Sequence, residues 1–151
     1  MRIYLASSWK NDLYVIVLAK GLRKNGLEVY CFAELGQGQH VFQWANVTNP
    51  DDDGITALKT EDSIKAYRVD KWFLDWAQCC VLLNPCGRDA HLEAGYIKGK
   101  GGRLFIVGDF PKGEFSNMYH LADGLFRCND EGLRELIARL KYYDIEEIPR
   151  G

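Results

Sequence analysis

The chain has 151 residues, 47% of them apolar, which suits one domain burying roughly two thirds of the surface that its unfolded form exposes. Its 19 basic and 21 acidic residues leave a net charge of −2 and no Lys or Arg run exceeds two, so it lacks the electrostatic footprint of a protein that binds a nucleic-acid polymer or an anionic membrane. No apolar span reaches about 18 residues and no long apolar leader opens the chain, which reads as soluble and cytoplasmic with a small molecule or another protein as its partner.

Short apolar runs alternate with longer segments of helical period, the pattern of a parallel sheet covered on both faces. Strands are predicted near Arg2–Ala6, Leu27–Phe32, Cys79–Asn84, Arg103–Gly108 and Leu125–Cys128. Helices are predicted near Asn11–Asn25, Thr60–Gln78, His91–Lys98 and Asp130–Tyr142, with a short one near Phe115–Leu121. In the first helix Leu13, Ile16, Val17 and Leu22 supply an apolar face, and Asn25-Gly26 closes it. From Ala33 to about Lys59 the chain shows Gly, Asn, Asp and Pro punctuation without sustained period; Val41, Phe42 and Trp44 within it suit a lid better than a disordered linker. The expected fold is a single-domain α/β three-layer sandwich, a doubly wound five-stranded parallel sheet in flavodoxin-like (Rossmann-like) order. Five cysteines without CxxC spacing read as reduced, mostly buried thiols; Cys86, beside Gly87 in a loop, is the exception to watch.

Ligands of such sheets sit beyond the carboxyl ends of the strands, so the informative residues follow each strand. They are Ser7, Ser8 and Trp9; Glu34 and the long loop; Pro85 to Glu93; and Asp109 with Phe110. Glu93 is placed in the first turn of its helix, where unsatisfied N–H groups and the macrodipole favour a carboxylate that can act as a nucleophile or simply stabilise the helix. Asp70 lies on the stripe Ala66-Asp70-Phe73-Ala77, which faces the sheet, so its pKa is expected to be raised. Asp75, between Leu74 and Trp76, falls on a different face. One ionised and one proton-sharing carboxylate are the equipment for cleaving a glycosidic bond. There is no GxGxxG after the first strand, no GxxxxGK[ST] and no GxSxG, and the three histidines are far apart, so neither a cofactor nor a metal is expected. His91 reads as a helix-start residue. Arg88 either reaches a phosphate or is solvated, and Asp89 is a natural helix cap.

The segments "RIYLASSW", "DKWFLDWAQCCVLLNP", "GRDAHLEAGYIKGKGGRLFIVG" and "NMYHLADGLF", in this order, resemble the nucleoside 2-deoxyribosyltransferases and the related nucleotide N-glycosidases. The resemblance spans roughly Arg2 to Leu140 and is weakest between Glu34 and Lys59. It implies that Glu93 is the nucleophile that attacks the anomeric carbon, that the Tyr4 hydroxyl orients it, and that Asp70 handles the proton of the departing base. Trp9 matches an aromatic near the base, and Ser7, Phe42, Trp44, Gly87, Arg88 and Asp89 line the substrate crevice. Asn117 matches an asparagine donated by a neighbouring subunit, implying a homodimer or higher homo-oligomer. Where the transferases carry an aspartate six residues before the nucleophile, this chain has Gly87, with Asp89 nearby as a substitute or a cap. The Asp70-to-Glu93 interval is shorter than in the transferases, and "DIEEIPRG" does not resemble their carboxyl end.

The expectation is an enzyme that cleaves the N-glycosidic bond of a nucleoside or nucleotide through a covalent glycosyl-Glu93 intermediate, releasing the sugar to a second base or to water. Asp89 beside Arg88 favours uncharged nucleosides over 5′-monophosphates. The alternatives are a 5′-nucleotide N-glycosidase, an enzyme of a larger ADP-ribose-like ligand, and, from another class, a catalytically silent nucleotide-binding module.

Overall fold

The structure, a computed structural model, describes residues 1–34, 53–113 and 116–146. In chain order the elements are β1 (Arg2–Ala6), α1 (Asp12–Lys24), β2 (Glu28–Cys31), α2 (Gly54–Leu58), α3 (Glu61–Trp76), β3 (Cys79–Leu83), α4 (Arg88–Gly99), β4 (Arg103–Val107), β5 (Gly124–Phe126) and α5 (Asp130–Glu146). Single 3₁₀ turns cover Trp9–Asn11 and Asn117–Leu121. All strand pairs are parallel and the order is β2-β1-β3-β4-β5, the flavodoxin-like arrangement expected from the alternating pattern.

Alternation along the strands divides the interior into two layers. Ile3, Leu5, Val81, Leu83, Phe105 and Val107 face α1 and α5, where Val15, Leu18, Leu22, Leu136 and Leu140 close one core. Tyr4, Ala6, Tyr30, Cys80, Leu82, Leu104 and Ile106 face α3 and α4, where Leu74, Ala77, Ala90, Ala94 and Ile97 close the other. β3 is buried at every position because it is central and covered on both faces. The five cysteines are free thiols, with Cys31, Cys79 and Cys80 buried in these layers.

Three expectations are corrected. The face of α1 is Val15, Leu18, Ala19 and Leu22, spaced i, i+3, i+4, i+7, whereas Leu13 and Val17 are 73% and 69% exposed. Leu13 and Val17 sit half a turn away from that stripe, and Ile16 packs at its edge. Asn25-Gly26 does close the helix: Gly26 has φ 84°, and the Gly26 and Leu27 amides bond back to Arg23 and Leu22. Secondly, the segment read as irregular up to Lys59 contains α2, capped by Asp53, whose carboxylate accepts the Thr56 amide at 2.9 Å. Thirdly, α4 begins at Arg88, three residues before its predicted start, with Gly87 at its N-cap. Phe42 and Trp44 lie outside the described residues. Among the described residues no helix is long and apolar enough to cross a membrane.

Candidate active site

The earlier start of α4 relocates Glu93 from the first turn to the second. There it shares the inward stripe of Ala90, Ala94 and Ile97, which packs on the sheet, and it is half-buried. Its carboxylate therefore gains little from the helix N-terminus, whose influence fades within one turn. Instead, the Tyr4 hydroxyl from β1 donates to Glu93 Oε1 at 3.0 Å. Burial is the largest influence on Glu93, and the charge of Asp70 adds to it; against the Tyr4 bond these push its pKa up to about 8, with Asp89 contributing in the same direction. The expectation of an ionised first-turn glutamate is thus overturned: Glu93 is a neutral-leaning acid whose ionisation is opposed by desolvation and by neighbouring charge.

Asp70 is half-buried on α3, facing the sheet as its stripe predicts. Asp75 lies on the outside, exposed and engaged by Lys71 at 2.5 Å and by the Tyr96 hydroxyl. Burial raises the Asp70 pKa to about 6, opposed by a hydrogen bond from Tyr30 and assisted by the charge of Asp89. The two acids therefore form a coupled pair that retains one proton between about pH 6 and pH 8. Tyr4 and Tyr30 stay protonated as donors, because burial and the neighbouring carboxylates both oppose their ionisation.

Tyr30 is the residue that sequence reasoning missed. Its hydroxyl donates to Asp70 Oδ1 at 3.3 Å, and it stands opposite Tyr4 in the β1–β2 register. The signal was present as one tyrosine inside each of two adjacent predicted strands, but the pairing needs the register to become visible.

The remaining predicted residues divide into groups. Trp9 lies edge-on against Phe32 at 4.8 Å, just past the end of β2. Ser7 is already engaged: its hydroxyl donates to the Leu83 carbonyl at 2.8 Å and accepts from Asn11 Nδ2 at 3.0 Å, bracing the ends of β1 and β3. Arg88 and Asp89 are exposed in the first turn of α4, and the Asp89 charge is felt at both Asp70 and Glu93. Gly87 offers no side chain, but its carbonyl meets His91 Nδ1 at 2.8 Å. His91 is thus a bracing residue inside α4. Its Nε2 lies 3.0 Å from the Tyr119 hydroxyl, which accepts from Asn84 Nδ2 at 3.0 Å, and these partners assign the proton of His91 to Nδ1. Cys86 donates to Asn84 Oδ1 at 3.1 Å, and burial with the Glu93 charge pushes its thiol up to about 11, so it is not a thiolate nucleophile. Asn117 is exposed at the start of its 3₁₀ turn, where Ser116, not Asn117, provides the cap. Among the described residues no group of His, Cys, Asp or Glu is arranged to hold a metal ion.

Tyr4, Tyr30, Asp70, Asp89 and Glu93 accordingly converge over the α3–α4 face of the sheet, while Ser7 and His91 brace its loops. No protein-family model matches the sequence, and no curated protein matches it. Among solved structures, the CMP N-glycosidase BcmB of Clostridium botulinum superposes with a TM-score of 0.54 at 12% identity, covering 93% of this chain and 99% of that one. A 2-deoxyribosyltransferase from Bacillus psychrosaccharolyticus superposes with a TM-score of 0.61 at 19% identity, covering 91% of this chain and 90% of that one. At these identities the likeness establishes the fold.

Proposed function

We propose that the chain cleaves the N-glycosidic bond of a nucleoside or nucleotide by a retaining, two-step route, with Glu93 as nucleophile and Asp70 as proton donor to the base. The observation that carries this reading is the half-buried Glu93–Asp70 pair, each acid held by its own tyrosine hydroxyl. The two structural neighbours named for N-glycosidase and deoxyribosyltransferase activity agree with it.

The singly protonated pair suits the chemistry. Glu93 Oε attacks the anomeric carbon as the bond from that carbon to the base nitrogen breaks, and its electron pair goes to the base. Asp70 gives its proton to the base nitrogen, so the pair's one proton must reside on Asp70 at the moment of reaction. Positive charge developing on the sugar favours this arrangement because it stabilises an ionised Glu93. In the second step water or another base attacks the anomeric carbon, the Glu93–sugar bond breaks, and Asp70 recovers a proton from the attacking group. Tyr4 remains a neutral donor to Glu93 throughout and restricts which oxygen is free to attack.

The test is incubation with a panel of nucleosides and their 5′-monophosphates, with released base followed by chromatography. Base release by the parent chain and none by Glu93→Gln is the expected outcome. Tight binding of a nucleotide with no release from any substrate favours the silent binding module instead.

A further inference from the structure

We propose that Tyr30 is a positioning residue for Asp70, fixing one of its carboxylate oxygens so that the other delivers the proton. This inference rests on the glycosidic reading for its role in turnover, and on geometry alone for the contact.

The sequence places a tyrosine at matched points of adjacent strands, and the parallel register pairs Tyr4 with Tyr30 directly. Residues paired across parallel strands project to the same face, so both phenols enter the layer beneath α3 and α4. Tyr30 is 3% exposed. Its ring is confined on two sides: Phe73 stacks on it at 3.8 Å and 17°, and Tyr4 lies 5.0 Å away. Phe73 stands three residues after Asp70 on α3, one turn along the same stripe, so the helix that carries the acid also clamps the ring that bonds to it. The confined ring leaves the hydroxyl directed at Asp70 Oδ1, 3.3 Å away. The result is a two-tyrosine rung in which β1 serves Glu93 and β2 serves Asp70.

The consequence for the acid follows from its surroundings. Among the described residues, the titratable groups acting on Asp70 are Tyr30 from β2 and Asp89 from α4, while the Asp70 charge is itself felt by Tyr4 of β1 and Glu93 of α4. Burial and the Asp89 carboxylate oppose its ionisation, whereas the Tyr30 hydrogen bond favours the ionised form. A donated hydrogen bond that strengthens as negative charge forms makes Asp70 a better acid toward the base and leaves Oδ2 to carry the proton.

Tyr30→Phe keeps the ring and its stacking and removes only the hydroxyl. The Asp70 side-chain carbon is followed by carbon NMR across a pH series in parent and variant, alongside base release at saturating and limiting substrate. The Asp70 midpoint is expected to rise by about one pH unit in the variant, the scale of one buried hydrogen bond. Turnover is expected to fall about tenfold at unchanged KM, with a larger loss for bases that leave poorly without protonation. An unchanged midpoint overturns the proposal whether or not the parent releases base, and so does a raised midpoint with unchanged turnover. Failure of the glycosidic reading is recognised separately, from a parent chain that releases no base from any substrate. Should Tyr30→Phe not fold, the same titration on Phe73→Leu, which loosens the ring clamp, is expected to raise the midpoint, and no movement there counts against the clamp.

Discussion

Glu93→Gln tests the electrostatics of the site through stability, without any substrate. Glutamine has the shape of glutamic acid and its carbonyl can still accept the Tyr4 hydroxyl, so the substitution removes the ionisable proton and little else. The folded-state pKa of Glu93 is raised from its ordinary 4.5 to about 8. A raised value means that the carboxyl's contribution is fully present below about pH 4.5 and is lost as pH rises through about 8. At about 1.4 kcal/mol per pH unit the whole interval corresponds to about 5 kcal/mol, and screening at a half-buried carboxyl lowers this to roughly 3 kcal/mol. Urea unfolding of parent and variant at pH 4 and pH 9 measures the difference, since titrations elsewhere are common to both proteins and cancel. The two should be nearly equal at pH 4, and the variant more stable by about 3 kcal/mol at pH 9. An advantage that does not change with pH refutes the picture of a carboxyl desolvated beside Asp70.

Asp70→Asn should slow base release by about 10²- to 10⁴-fold, and by less for bases that leave easily unprotonated; equal losses across leaving groups point instead to a role in holding the sugar. The pH profile of kcat/KM should be bell-shaped with limbs near 6 and 8, because the working state holds one proton on the pair, and a profile flat from pH 5 to pH 9 contradicts that state. Comparing one nucleoside with its 5′-monophosphate, in the parent and in Arg88→Ala, should show preference for the nucleoside, as the Asp89 charge near both acids opposes a second anion. A parent that prefers the monophosphate and loses that preference without Arg88 reverses the assignment. Light scattering should find a dimer or larger assembly, since the role that the family resemblance implies for the exposed Asn117, completing a neighbour's site, requires subunits to pair; an active monomer removes it from the site.

Legibility tracked how local each signal was. The strands and their order could be read because β3 is an unbroken apolar run and β1 is one from Ile3 onward, and these are properties of a few consecutive residues. The inward orientation of Asp70 was likewise legible from the stripe it shares with Ala66 and Phe73. The start of α4 was not: its N-cap is Gly87, which provides no side-chain cap, and Asp89, which reads as a cap, is instead an acid inside the first turn. That error of three residues reversed the electrostatics of Glu93, from a carboxylate favoured by a helix end to an acid opposed by burial. Tyr30 and the His91–Tyr119–Asn84 brace depend on contacts between residues far apart in sequence, which only strand register and helix packing bring together. The face of α1 was misjudged for a simpler reason, as Leu13 and Val17 share a helical period with each other but not with Leu18 and Leu22.

The central claim is that Glu93 bonds to the sugar, and the most direct measurement is intact-mass and peptide mass spectrometry after mixing enzyme with excess substrate and quenching in acid. A pentosyl or pentosyl-phosphate adduct is expected on the peptide containing Glu93, absent from Glu93→Gln. Base release at an undiminished rate by Glu93→Gln, or an adduct mapped to another residue, would contradict it.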